Sequence, residues 1–445
     1  MITLALLACG PSDCVATVDD DVHTAVNVDW TARSGGRASA TYDPGDGETA
    51  TAENETDGRD YHVGLFGLLP LTDVPWTAIT TSRGGHVTTC EGVTRSGNLP
   101  AGLPDLTVTV DDPARQSPER YLLGDASSDT PVLFVIDRQG RWRWYHEGVP
   151  GTVMPDVEFQ RGTNTVLYTT QAQDRSVDLG HIQAIDLDGT PGQDLRIEKG
   201  HHVFAQGPDG DVAWLAIDVR SWTDPDTNET SDVVGDVVNV THNDGVTEPL
   251  FNIWDHLEPV PKENWNTGFY PQGLDWSHGN GLNWSPERHS YVVSFGNATV
   301  VYELSDSTGA IVRQFGGAGG YRYEGDSTRM LHQHDAKLTP EGTLLMATTN
   351  PDPNGGSGAI EYAIDDDRRT ITEVWSSSLD GTQRTRALGQ AIRLQNGNTL
   401  VSLGASGMLR EVTPDDDVVW QVETPPGWGF GNVWSFDDFY APTSP

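Results

Sequence analysis

The octapeptide LHQHDAKL, residues 331–338, sets two imidazoles, an amide and a carboxylate side by side. A neutral imidazole is a competent nucleophile near pH 7, because its ordinary pKa is about 6.5. A covalent intermediate on such a nucleophile divides one group transfer into two easier steps. Alternate residues of an extended chain share a face, so an extended run would point His332 and His334 the same way. A metal ion on that face would need a third ligand from elsewhere in the chain. A pair of structural histidines would need nothing more.

Three other polar runs stand in the same relation to the sequence that follows them. They are Gly200-His201-His202-Val203, Trp276-Ser277-His278-Gly279-Asn280-Gly281 and Arg384-Thr385-Arg386-Ala387-Leu388-Gly389-Gln390. Each precedes or opens an apolar strand, a tight turn with Gly or Pro, and a second apolar strand. The aligned pairs are VFAQGPDGDVAWLAID (203–218), LNWSPERHSYVVSF (282–295), AKLTPEGTLLMATT (336–349) and AIRLQNGNTLVSLG (391–404), with VEFQRGTNTVLYTT (157–170) as a further copy. The unit recurs roughly every 50 residues, the period of a four-stranded propeller blade. The expected fold is all-β: a β-propeller of about six blades, with five or seven left open, over residues 118–445. Propellers bind ligands at one mouth of the channel, in the residues that open the inner strands. Five of the 13 histidines would then meet near one axis.

Residues 15–110 carry a different pattern, short alternating strands such as Val26–Trp30 and Trp76–Thr80 divided by turns. This reads as a β-sandwich of about seven strands, resembling fibronectin type III or immunoglobulin-like modules. The Pro-marked stretch 100–118 leads out of it, with 111–117 as the linker. The first 14 residues, MITLALLACGPSDC, end an apolar run at Leu6-Leu7-Ala8-Cys9-Gly10, which resembles a bacterial lipobox with Cys9 as the lipidation site. Export would leave Cys14 and Cys90 free to form a disulfide.

The formal charge is −38, from 27 basic and 65 acidic residues, with lysine only at 199, 262 and 337. Such a surface repels nucleic acid and anionic lipid, so neither is an expected partner; membrane contact is expected only through the lipid anchor. An anionic small molecule would need a local pocket of His or Arg. Asp-rich turns such as Asp186-Leu187-Asp188-Gly189 complete no EF-hand and read as turn chemistry.

The sequence D-W-S-H-G-N (275–280), a strand ending Val293-Ser294-Phe295, then L-H-Q-H-D-A (331–336) and G-N-T-L-V (397–401) resembles the bacterial arylsulfotransferase (arylsulfate sulfotransferase) family. The likeness covers roughly 118–425 and is strongest over 275–402. It implies a six-bladed propeller behind a small N-terminal β-domain. It also implies transfer of a sulfuryl group from a phenolic sulfate ester to another phenol, through a sulfohistidine and without a nucleotide sulfate donor or other cofactor.

By the resemblance His334 is the nucleophile, His278 with Asn280 beside it is the H-x-N element, and His201 or His202 is a further family histidine. These neighbours would bind the sulfuryl oxygens and assist the leaving phenol. Chemistry adds Gln333 as a donor to sulfuryl oxygens and Asp335 as the carboxylate that fixes an imidazole tautomer. One departure stands out: the family's sulfate-binding arginine falls on Gly296 or Asn297 here. Arg384 or Arg386 would have to reach the same point. Without a cation the same scaffold reads as a non-catalytic exported ligand-binding protein.

Overall fold

The computed structural model describes residues 14–32, 34–176, 180–259, 262, 265–349, 356–377, 385 and 387–440. It is all-β; helical turns among the described residues are short 3-10 turns such as Pro208–Gly210 and Ile253–Asp255. No described helix is long and apolar enough to cross a membrane. Arg384, Arg386 and Cys9 lie outside the described residues.

Seven strands before residue 96 form two antiparallel sheets. One runs Val15–Val18, Val26–Thr31, Asp60–Leu65; the other runs Ala50–Thr56, Gly36–Tyr42, Asp73–Ser82, Val87–Arg95. Val26, Val28, Trp30, Ala38, Ala40, Tyr61, Val63 and Trp76 share one core between them. Asp73–Ser82 alternates buried and exposed positions along nearly its whole length, as a strand with one solvated face must. Trp30 stacks on Tyr61 and donates its indole N–H to Thr80 Oγ1 at 2.7 Å. A disulfide joins Cys14 to Cys90 across a sequence separation of 76.

Six further sheets follow along the chain. The first pairs Trp142–Glu147, Val132–Asp137 and Tyr121–Ser127 with Gly429–Phe436, so a strand from the C-terminal end completes the first sheet. The last runs from Gln390–Arg393 out to Val418–Glu423 and then adds Thr107–Asp111 from ahead of the first sheet. That added strand comes from the end of the stretch expected to belong to the first domain. Many strands here are buried along their whole length, as in Gly200–Gln206, Val132–Asp137 and Ser290–Phe295. Both faces are covered by neighbouring sheets, so alternation disappears. Arg143 ties the two regions together. Its buried guanidinium donates to the Pro44 and Gly67 carbonyls and pairs with Asp46 and Asp137.

Candidate active site

Four strands on the edges or at the closures of these sheets share one irregularity. The pairing slips between His201 and Phe204, between Gly279 and Gly281, between His334 and Lys337, and between Phe430 and Val433. Each slip is a bulge-like break in the ladder, of the kind that bends a strand and re-aims its side chains. Left-handed backbone at non-glycine residues gathers in the same places: φ is 56° at His202, 55° at His278, 45° at His332 and 49° at Asp335. Such conformations cost on the order of 1–3 kcal/mol each and concentrate at functional sites. The bulges are what turn imidazoles out of otherwise apolar strands.

Those imidazoles meet. The His201 and His202 rings lie 5.0 Å apart, with their Nδ1 atoms 2.7 Å apart. His202 meets His278 edge-to-face at 5.1 Å. Asn280 reaches across to the next sheet and donates to the Gln333 carbonyl at 2.9 Å, beside His334. Positive charge on His278 disfavours protonation of both His202 and His334, and His202 also feels His334. His201, His202, His278, Asn280 and His334 thus share one neighbourhood.

Their electrostatics differ sharply. Burial pushes His334 down to about 4, and Asp335 and the backbone at Gly389 raise it only in part. Burial would lower His278 too. There the Asp275 carboxylate, 2.7 Å from Nδ1, acts through charge and a hydrogen bond, and with Asp236 behind it carries the imidazole above its usual value. Burial, reinforced by the other histidines and Arg175, holds His202 well below its usual value. His201 Nε2 lies 2.9 Å from Asp236, which also accepts from Ser277 Oγ and from the Gly279 N–H at 2.7 Å. The cluster therefore sets an imidazole that burial keeps uncharged, His334, beside one whose protonated form is favoured, His278. Environments that push two titratable groups apart in this way are how acid and base roles are divided.

Several expected roles are held differently. Gln333 donates both amide hydrogens to backbone, to the Phe295 carbonyl at 3.0 Å and the Val300 carbonyl at 3.1 Å, so it holds the turn instead of offering donors to a ligand. Asp335 orients no imidazole; it accepts from Asn283 Nδ2 at 2.8 Å and pairs with Lys337 at 2.8 Å. Asp275 and Asp236 are the carboxylates on imidazoles. Asp275 stood inside the D-W-S-H motif, but its reach to His278 depends on the left-handed turn at that histidine, which leaves no mark in sequence. His332 does not share a face with His334. The strand begins only at His334, and His332 is exposed in left-handed backbone. Among the described residues no group of three or more His, Cys, Asp or Glu is arranged to hold a metal ion.

The arginine position is closed for a steric reason. A Cβ on Gly296 would stand 2.6 Å from Asn280 Nδ2, so any longer side chain would have to push the Asn280 amide aside. Asn297 spends its amide on the Asp275 carbonyl at 3.0 Å. A cation does stand near the cluster, at a position that no motif or repeat singles out. Arg175, exposed and in left-handed backbone, lays its guanidinium 3.9 Å from the centroid of Phe269. Phe269 stacks on His202 at 5.7 Å and meets His278 edge-on at 4.6 Å.

The family model described as Arylsulfotransferase (ASST) matches residues 107–424. No curated protein matches the chain. Among solved structures, the chain is similar to one from a nidogen/laminin complex, with a TM-score of 0.43 and 13% identity over 70% of this chain and 97% of that one. It is also similar to a luciferin-regenerating enzyme, with a TM-score of 0.33 and 11% identity over 76% of this chain and 100% of that one. A third is a dihydro-heme d1 dehydrogenase, with a TM-score of 0.33 and 12% identity over 74% of this chain and 79% of that one.

Proposed function

The chain belongs to the arylsulfotransferase family, and from that premise we propose that it moves a sulfuryl group between small phenols through a covalent adduct on His334, without a nucleotide donor. The observation that carries this reading is the divergence of two neighbouring imidazoles, His334 lowered to about 4 and His278 raised. A neutral His334 nitrogen attacks the sulfur of an aryl sulfate. The N–S bond forms as the S–O bond to the aryl group breaks. Protonated His278 gives its proton to the departing phenolate oxygen. A second phenol then returns a proton to neutral His278 as its oxygen attacks sulfur, and the N–S bond breaks. General acid assistance of this kind contributes typically about 10²–10⁴-fold.

The scaffold reading supports that chemistry. The six sheets act as blades of a propeller, closed by pairing of the C-terminal strand with the first sheet. The seven N-terminal strands act as an immunoglobulin-like sandwich beside it. The Cys14–Cys90 disulfide suits an exported protein, with Cys9 as the proposed lipid anchor.

The test is incubation of the full chain with p-nitrophenyl sulfate and a phenol acceptor, with intact-mass detection of the sulfuryl adduct. Phenol release with an adduct that His334→Ala abolishes is the expected result. Absence of both across pH 5–9, or activity that survives His334→Ala, would instead leave a non-catalytic ligand-binding protein.

A further inference from the structure

A sulfuryl group in flight carries negative charge on three oxygens and needs fixed donors or cations aimed at them. The histidine cluster offers one imidazole whose protonated form its surroundings favour, His278. The Gly296 position is filled, Asn297 is bound to backbone, and Gln333 has no amide hydrogen left. The remaining donors of Asn280 stand beside a chain whose net charge is −38. A second cation is therefore the largest gap in the site.

Arg175 is placed to fill it. Its guanidinium makes no hydrogen bond or ion pair among the described residues; its described contact is with the Phe269 ring. The same ring touches two of the histidines: His202 stacks parallel to it and His278 meets it edge-on. The positive charge of Arg175 reaches His202, His278 and Tyr270, lowering each. Elsewhere in the chain, arginines near buried polar groups are committed. Arg138 pairs with Glu411, Arg143 with Asp137 and Asp46, Arg313 with Glu303 and Arg393 with Glu361. A guanidinium with no ion pair among the described residues, held on an aromatic ring that also touches two imidazoles, is a fork of donors left for an anion.

We propose that Arg175, carried on Phe269, is the sulfuryl-oxygen anchor of this site, taking from a different sheet the part that Gly296 leaves vacant. The inference rests on the sulfotransferase reading, with which it shares the ligand chemistry. It also makes a claim of its own: the cluster binds a tetrahedral sulfate oxyanion through Arg175, whether or not turnover follows. Rotation of the arginine about its long stem would place two N–H groups on the anion while the ring supports the guanidinium plane.

The test uses the full-length chain with Arg175→Gln and Arg175→Lys, both exposed substitutions that leave the core untouched. Two quantities are read: calorimetric binding of inorganic sulfate, and the rate of adduct formation from p-nitrophenyl sulfate. Loss of a charge-assisted pair should weaken sulfate binding roughly 10- to 100-fold in Arg175→Gln. Arg175→Lys should lie between, because it keeps the charge and loses the fork. The adduct rate should fall in the same order. Normal turnover and unchanged sulfate affinity in Arg175→Gln would overturn the inference and leave the sulfotransferase reading standing. Sulfate binding that depends on Arg175 without any turnover would uphold the anchor and sink the enzyme. No sulfate binding in the unsubstituted protein would overturn the anchor outright.

Discussion

The N-terminal pair of sheets and the six-sheet region are built mainly from the same element, an antiparallel strand of at most twelve residues, yet only one of them carries convergent chemistry. In the first region each sheet keeps a solvated face. Asp73–Ser82 turns Val74, Trp76, Ala78, Thr80 and Ser82 inward and the residues between them toward water. A polar group on such a strand stays hydrated, as His62 does in an exposed pair with Asp29. In the second region both faces are covered, so a polar residue at a strand start is buried and must find a partner. His334, His278 and Glu158 all leave their usual pKa values there, in different directions according to their partners. The difference teaches that burial on two sides, combined with bulges that turn side chains off the strand, creates the site.

The sharpest way to break that contrast is His334→Ala. Transfer and adduct should fall on the order of 10³-fold or more, as when a covalent nucleophile is removed, with the unfolding midpoint nearly unchanged. Retained transfer would mean that the buried imidazole is scaffold like any other. The reciprocal substitution is Trp30→Ala in the first region. It should cost about 3–5 kcal/mol in denaturant unfolding while transfer per folded molecule stays the same. A parallel fall in turnover would give the N-terminal sheets a share in the chemistry.

Asp275→Asn sharpens the electrostatic half of the comparison. Without the carboxylate, burial dominates and His278 drops below its usual value, so the protonated acid is lost at lower pH. Turnover near pH 8 should fall about tenfold, and the alkaline limb of the pH–rate profile should move toward acid. Glu158→Gln addresses stability. Burial pushes the Glu158 carboxyl up to about 8, with Asp156 adding to the rise. The folded protein then holds a proton that the unfolded chain releases above its ordinary pKa of about 4.5. Stability falls as pH rises from about 4.5 to about 8. Glu158→Gln should flatten that fall when thermal unfolding is followed across the same range.

The two regions also differ in what their sequences disclose. Strands such as VNVDWT (26–31) and DVPWTAITTS (73–82) alternate visibly, because water on one face imposes the period. The sheet-opening runs G-H-H-V, W-S-H-G-N-G and L-H-Q-H-D-A could be aligned by register, and the family likeness picked His278, Asn280 and His334 out of them. Gln333 and Asp335 were misread because their role depends on backbone carbonyls and on Lys337, partners that no spacing reveals. Arg175 lay in the unaligned run Gln173-Asp174-Arg175-Ser176, and its link to the cluster passes through Phe269, 94 residues away. Left-handed histidines carry no sequence mark, since glycine and asparagine are the residues that ordinarily announce that backbone.

The central claim is that two neighbouring histidines hold opposite protonation states at neutral pH. Carbon-13 titration of the histidine rings, assigned with His334→Ala and His278→Ala, measures both at once. The expected result is that His334 stays neutral until about pH 4 while His278 keeps its proton above its ordinary value of about 6.5. Two curves that coincide near pH 6.5 would contradict it.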